Sequence, residues 1–317
     1  MLARPKAMHN QETIYVLGSG AVGFPLAAYL TNAGRDVVAV RTSRSDVPKS
    51  TINITVQDGA DRVTAPIETI SLTNLSNLDG TLVIATKSYT NPAIALLLKE
   101  RKATGPVVIM QNGLGVERPF LDAGFTAVCR CVLYLTSQPT SEFQFSFHPV
   151  MASPIGIIAG PEAELAKWVE QLHTDAFPFR AETNIQKEIW KKAIINSVFN
   201  SICPLLDVDN NVFVRDEPTA NLARQLVGEC ITLTDRLNIG LSESEVMQQI
   251  MRISNGSKQL ISTLQDIRNG RQTEIESLNL EIARQAASLQ PPLYLPQIEL
   301  LGKMILAKSV LHRKTAA

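Results

Sequence analysis

The stretch Ile14-Tyr-Val-Leu-Gly18-Ser-Gly20-Ala-Val-Gly23 constrains the fold more than any other part of the chain. A short β-branched run feeds into G-x-G-x-x-G, and an apolar helical pattern follows (Val22, Leu26, Ala27, Leu30). Each glycine has a physical job in such a segment. Gly18 permits a tight turn, Gly20 lets the backbone approach a pyrophosphate, and Gly23 lets the helix pack close to the strand. The helix N-terminus then offers free N–H groups and partial positive charge to phosphates. The segment predicts a dinucleotide-binding βα unit; the alternative is a fortuitous tight turn.

The end of the second strand speaks to which dinucleotide. An NAD site places an Asp or Glu roughly 20 residues on, against the ribose 2′-hydroxyl. Here the chain has Arg41-Thr-Ser-Arg44. Two guanidiniums and two hydroxyls suit a 2′-phosphate through charge-assisted hydrogen bonds, and an acid would repel it. NADPH is therefore expected over NADH, the alternative being ordinary surface arginines on a solvated loop.

Short strand-like runs recur at 14–17, 36–40, 82–85 and 107–110, with others expected at 126–133 and 155–159. Between them lie helical stretches, which predicts right-handed crossovers and a parallel sheet. Phe143, Phe145 and Phe147 alternate, as in an antiparallel strand or hairpin over 138–149. After Pro178 strand-like runs are not expected. Residues 184–202, 217–238, 243–269, 273–290 and 296–311 read as helices. The expected fold class is α/β, an N-terminal Rossmann-type doubly wound sheet followed by an all-helical C-terminal domain. The domains are expected at 1–182 and 183–317.

Composition narrows the function classes. Lys+Arg and Asp+Glu are both 30, so the net charge is +0. That argues against a general electrostatic grip on nucleic acid or on an anionic membrane. The 4 cysteines form no C-x-x-C pair and read as reduced, buried thiols of a cytoplasmic protein. His9, His148, His173 and His312 are far apart, without metal-ligand spacing, so no metal site is expected. Residues 1–13 lack an apolar core and read as a short tail rather than a signal peptide. No apolar run reaches the ~18 residues of a membrane span.

Three further segments carry polar groups in telling places. In open α/β sheets ligands bind beyond the carboxyl ends of the strands. Lys87 and Asn112 follow two such ends and can reach a cofactor ribose or a substrate carbonyl; ordinary polar strand caps are the alternative. Lys192, Asn196 and Asn200 are spaced i, i+4, i+8 and share one face of an otherwise apolar helix. One ammonium and two amides suit a small oxyacid, against the alternative of structural hydrogen bonds in a packed helix. Finally, Asn269-Gly270 reads as a helix stop and Thr273-x-x-Glu276 as a capping box. That leaves Glu274 in a first turn, where a carboxylate is favoured by the helix dipole.

With these pieces in hand, the chain resembles the ketopantoate reductases over nearly its whole length. GSGAVG, TKS, QNGLG, KKAIINSVFN and STLQDIRNGRQTEIE occur in family order and at family spacing. The resemblance implies reduction of the 2-keto group of ketopantoate (2-dehydropantoate) to pantoate with NADPH, a step toward pantothenate and coenzyme A. It implies that Gly18, Ser19, Gly20, Ala21, Val22 and Gly23 hold the pyrophosphate. Lys87 and Asn112 would approach the nicotinamide, Asn112 also the substrate. Lys192 matches the catalytic lysine, with Asn196, Asn200, Asn210, Gln259 and Ser262 around the substrate. Glu274 matches an acid that orients the lysine and touches the cofactor.

Three places depart from the family pattern. Gln111 stands where His is usual, Gln259 where Asn is common, and 132–138 lacks the usual glycines. A longer residue at 259 leaves room for reduction of another small 2-keto acid. A β-hydroxyacid dehydrogenase would share the K-x-x-x-N helix, but no D-x-P-V-S-G-G-type segment is present. An NADPH-binding sensor without turnover would need only the loop and Arg41. The apolar stretch 296–310 suits either a homodimer contact or self-packing.

Overall fold

In the computed structural model, which describes residues 12–42, 48–76 and 78–316, the chain forms two units. The first takes the chain up to Thr86, then 90–111 and 119–183. The second takes 87–89, 112–118 and everything from Asn184. His9 and Arg44 lie outside the described residues.

In the first unit β1 (Thr13–Leu17) leads into α1 (Gly23–Asn32), β2 (Val37–Arg41), β3 (Ser50–Asp58) and β4 (Asp61–Ser71). Then come β5 (Gly80–Ile84), α2 (Asn91–Glu100), β6 (Val107–Ile109), α3 (Arg118–Asp122) and β7 (Val128–Cys131). The unit closes with β8 (Leu135–Ser141), β9 (Gln144–Pro149), β10 (Ser153–Ala159), α4 (Leu165–Leu172) and β11 (Phe179–Ala181). The strands make one mixed sheet in the order β11-β10-β7-β6-β5-β1-β2-β4-β3-β9-β8. Its middle, β7-β6-β5-β1-β2-β4, is parallel at every pairing. Numbered along the chain, those strands read 6-5-4-1-2-3, the order of the doubly wound dinucleotide fold.

The sheet is not wholly parallel. β3 and β4 form an antiparallel hairpin, of which β4 joins the parallel middle and β3 extends beyond it. β8 and β9 pair antiparallel, and β10 runs antiparallel to β7. The expectation that strands cease after Pro178 is corrected: β11 pairs parallel with β10, with Phe179 opposite Ser153. Three residues are too few for a sequence pattern, and this strand is secured by tertiary contacts. The Ser153 N–H donates to Pro178 O at 2.9 Å and the Glu182 N–H to Ile155 O at 2.8 Å.

One face of the sheet is buried under α1 and α4. Alternate residues point to it: Ile14 and Val16 in β1, Ile54 and Val56 in β3, Ala65 and Ile67 in β4, Phe145 and Phe147 in β9. Phe24 of α1 lies against Phe145, ring centroids 5.9 Å apart, and Tyr29 against Phe147 at 5.3 Å. The alternating phenylalanines thus belong to this core.

The second unit holds α5 (Ile185–Leu206), α6 (Val212–Arg215), α7 (Glu217–Arg236), α8 (Glu243–Gly256) and α9 (Ser262–Arg268). A single 3-10 turn at Ile275–Ser277 precedes α10 (Asn279–Ala287) and α11 (Pro296–Ala316). α5 packs against α7, α8, α9 and α11, and is buried along most of its length. Side chains of Asn184, Asp216 and Ser242 cap α5, α7 and α8 by accepting an N–H three residues on.

Two helix expectations change here. The stretch 243–269 is two helices, because Asn255-Gly256-Ser257 is a run of poor helix formers. Ser257 is extended, and its Oγ accepts the Gln259 N–H at 3.2 Å. The capping box at Thr273 is absent: Thr273 is buried, and the turn that follows starts from Glu274. Ser277 Oγ donates to Glu274 O at 3.0 Å and closes that turn locally.

At the start of α1, a Cβ on Gly23 would lie 1.8 Å from the Gly18 carbonyl oxygen and 3.3 Å from Val16 Cγ1. Neither neighbour can retreat, since both belong to the β1 strand and its turn. Gly23→Ala is expected to destabilise by about 2–3 kcal/mol and lower Tm by roughly 5–10 °C, read by thermal unfolding. A wild-type melting curve would contradict this packing.

Candidate functional site

In the first unit the loop after β1 sits at the topological switch, where β1 pairs with β2 on one side and β5 on the other. Gly18 has φ +115°, and a Cβ there would come within 2.7 Å of the Ala85 carbonyl carbon. The two strand ends therefore approach each other through backbone alone. Around Gly20 the case is reversed: a Cβ would meet nothing within 4 Å. Open backbone followed by a helix start is the environment that a pyrophosphate needs. Arg41 closes β2, and its Nε is buried with no hydrogen-bond partner among the described residues. A buried, unpartnered guanidinium nitrogen calls for an acceptor. The loop and Arg41 together fit a phosphorylated dinucleotide.

Lys87 and Asn112 follow β5 and β6 along the chain but belong to the helical unit. Asn112 is exposed. Lys87 Nζ donates to Asp266 Oδ2 at 2.9 Å and to Glu274 Oε2 at 3.4 Å. The other oxygen of Glu274 accepts the Ser88 N–H at 3.2 Å. Asp266, which the sequence reading does not single out, is buried and accepts from Arg271 Nε at 2.8 Å. Burial would pull the Lys87 ammonium down, but the Glu274 and Asp266 carboxylates overbalance it and hold the group above 10.5. The structure thus brings Lys87 and Glu274 together and adds Asp266 and Arg271 to them. The helix stop supplies Arg271: Gly270 has φ +63°, and the Arg271 N–H donates back to Asp266 O at 2.8 Å.

On α5, Lys192 and Asn196 are half-buried and Asn200 is buried. Asn200 Nδ2 donates to Asn196 O at 2.9 Å, which turns its Oδ1 elsewhere. That oxygen and Asn210 Oδ1 are buried without a hydrogen-bond partner among the described residues. Asn210 and Gln259 meet through the backbone, Asn210 N–H to Gln259 O at 3.0 Å. Ser262 opens α9 and is exposed, as is Gln259. Asn279 Oδ1, at the start of α10, is likewise buried without a hydrogen-bond partner among the described residues. These amide oxygens of the helical unit still call for a donor such as a hydroxyl or water.

The thiols are poor candidates for chemistry. Cys129, Cys131, Cys203 and Cys230 are all buried, and desolvation pushes Cys129 and Cys203 up to about 12. No group of three or more His, Cys, Asp or Glu among the described residues could hold a metal ion. Nor is any described helix long and apolar enough to cross a membrane.

The sign of the Lys87 shift sets a pH dependence. Its folded pKa is raised, so its stabilising contribution is present below 10.5 and is lost as the pH rises through the folded value. Asp266→Asn removes one of the two carboxylates, so the Lys87 pKa is expected to fall. Titration of methyl-labelled lysines by NMR between about pH 9 and 12 reads this directly. An unchanged Lys87 titration would deny Asp266 its role.

The ketopantoate reductase family model PanE/ApbA matches residues 14–150, and its C-terminal counterpart matches 184–309. A 2-dehydropantoate 2-reductase of Pyrococcus abyssi is 26% identical over 308 residues, covering 95% of this chain and 99% of its own. A 2-dehydropantoate 2-reductase of Escherichia coli O157:H7 is 24% identical, covering 86% and 88%. Among solved structures, a dimeric ketopantoate reductase from Staphylococcus aureus has a TM-score of 0.79 at 20% identity, covering 95% of this chain and 99% of its own. A D-mandelate dehydrogenase with NADH and anilino(oxo)acetate has 0.82 at 19% identity, with the same coverage. The two family models take up both units in order, and the chain belongs to the ketopantoate reductase family.

Proposed function

We propose that this protein reduces 2-dehydropantoate to pantoate with NADPH. The observation that carries the reading is the polar face Lys192–Asn196–Asn200 on the buried helix α5, in a chain whose β1–α1 loop fits a dinucleotide. Asn is a poor interior helix former, costing about 0.5 kcal/mol against Ala, so amides there need a purpose.

When bound, NADPH supplies the hydride that reduces the keto carbon. The loop Gly18–Gly23 and the start of α1 receive the pyrophosphate, and Arg41 receives the 2′-phosphate. Lys87 and Asn112 approach the nicotinamide end. Lys192 donates a proton to the keto oxygen as charge builds on it, and its ammonium stabilises that charge beforehand. Asn112, Asn196, Asn200, Asn210, Gln259 and Ser262 hold the substrate, and Glu274 orients the ammonium groups. The product is the 2-hydroxy acid, and solvent returns the proton to Lys192.

A second reading keeps this chemistry and changes the acid. Gln259 carries one methylene more than the Asn common in the family, and a structural neighbour is a D-mandelate dehydrogenase. A homodimer belongs to the same proposal: Leu300, Met304 and Leu311 are exposed along α11, and the Staphylococcus aureus relative is dimeric.

The test is loss of NADPH absorbance with 2-dehydropantoate, beside NADH and several other 2-keto acids. Fast loss with NADPH and 2-dehydropantoate supports the first reading; loss only with another acid supports the second. NADPH binding without turnover on any acid would leave a sensor instead. Lys192→Ala is expected to cut kcat about 100-fold or more, the usual scale of a general acid. Near-full activity would remove Lys192 from the mechanism. Arg41→Ala is expected to narrow the preference for NADPH over NADH, measured as the ratio of kcat/KM values. An unchanged ratio would sink the 2′-phosphate role.

A further inference from the structure

One polar cluster in the first unit has no part in the reading above. Gln111 follows β6 and is 6% exposed. Its Nε2 donates to the Thr86 carbonyl at 2.9 Å and to Asn91 Oδ1 at 2.7 Å. Its Oε1 accepts from Asn91 Nδ2 at 2.7 Å. Its main-chain carbonyl accepts from Nη2 of Arg130, a buried residue of β7, at 3.2 Å. Asn91 is the first residue of α2 and is buried. One amide thus joins the carboxyl end of β5 to the start of α2, while its backbone is held from β7. Only a carboxamide long enough to span this gap can both give and take hydrogen bonds with another amide and still reach Thr86 O.

The place of this cluster in the chain gives it meaning. Thr86 immediately precedes Lys87, and Gln111 immediately precedes Asn112. Lys87 leaves from a residue whose carbonyl the Gln111 side chain holds, and Asn112 leaves from Gln111 itself. We propose that Gln111 is a positioning residue: by clamping Thr86 O it sets where Lys87 and Asn112 leave the sheet. The inference rests on the proposed role of Lys87 and Asn112. Reaction rates fall steeply when reacting groups are misplaced by even an ångström, so a clamp one residue away acts on turnover.

The test compares Gln111→Met with Asn91→Ala in the full-length protein. Both variants break the amide pair, but Asn91→Ala leaves the Gln111–Thr86 bond in place. A merely structural role would make the two variants alike. The expected result is a lowered Tm in both, with kcat down about 10-fold and faster amide exchange at 86–88 and 112–114 only in Gln111→Met. Gln111→Glu replaces it if that variant does not fold: it keeps the shape and the acceptor for Asn91, but as a carboxylate cannot donate to Thr86 O. Equal kcat losses in both variants, or an unchanged kcat in Gln111→Met, overturn the inference. If the wild type turns over no 2-keto acid, the proposed function fails by itself. The clamp is then read by NADPH fluorescence titration, with about 5-fold weaker binding expected in Gln111→Met alone. Equal binding in both variants overturns it, and a wild type that binds no NADPH overturns both proposals.

Discussion

The close approach of β1 and α1 is the constraint on which the first unit depends. The chain turns from strand to helix so tightly that Gly23 stands against the Gly18 carbonyl with no space for a Cβ. Gly18 itself abuts the backbone at Ala85, where β5 ends. Both contacts are backbone against backbone, and side chains at either glycine would push the elements apart. The same tightness leaves Gly20 in open space at the start of a helix, with N–H groups free for an anion. The packing that closes Gly18 and Gly23 is therefore also what leaves the backbone at Gly20 open.

The helical unit depends on a different balance. Asp266 is a buried carboxylate, and burying a lone charge is unfavourable unless it is paired and hydrogen-bonded. Lys87 and Arg271 each take one of its oxygens. Glu274 shares Lys87 and also takes a main-chain N–H from Ser88. A cation so surrounded is held in its charged form by the two carboxylates. α5 supplies the contrast: its amides satisfy one end and leave Asn200 Oδ1 waiting for a donor.

Some of this was legible in the residues and some was not, for physical reasons that differ by element. The glycine loop, the parallel strands around it and the alternating Phe143–Phe147 run carry strong local signals, because backbone conformation and sheet face restrict residue type directly. The helix stop at Gly270 is equally local, since a left-handed residue favours glycine. β11 and the turn at Ile275–Ser277 are not local: one is a three-residue strand added to an existing edge, and the other starts from a Glu274 held by Lys87 and Ser88. Asp266 reads in sequence as one more acid in a helix, and its partner Lys87 is far away along the chain.

By itself the sequence determined the alternation of strands and helices around the glycine loop, the loop that fits a dinucleotide and the helix bearing Lys192, Asn196 and Asn200. Each follows from short-range rules of backbone geometry and apolar periodicity. Only the tertiary structure decided which way the edge strands run, which carboxylates surround Lys87, and which amide ties Thr86 to Asn91. Those choices depend on groups distant in the chain meeting in space, where burial makes an unmatched charge or amide too unfavourable to persist.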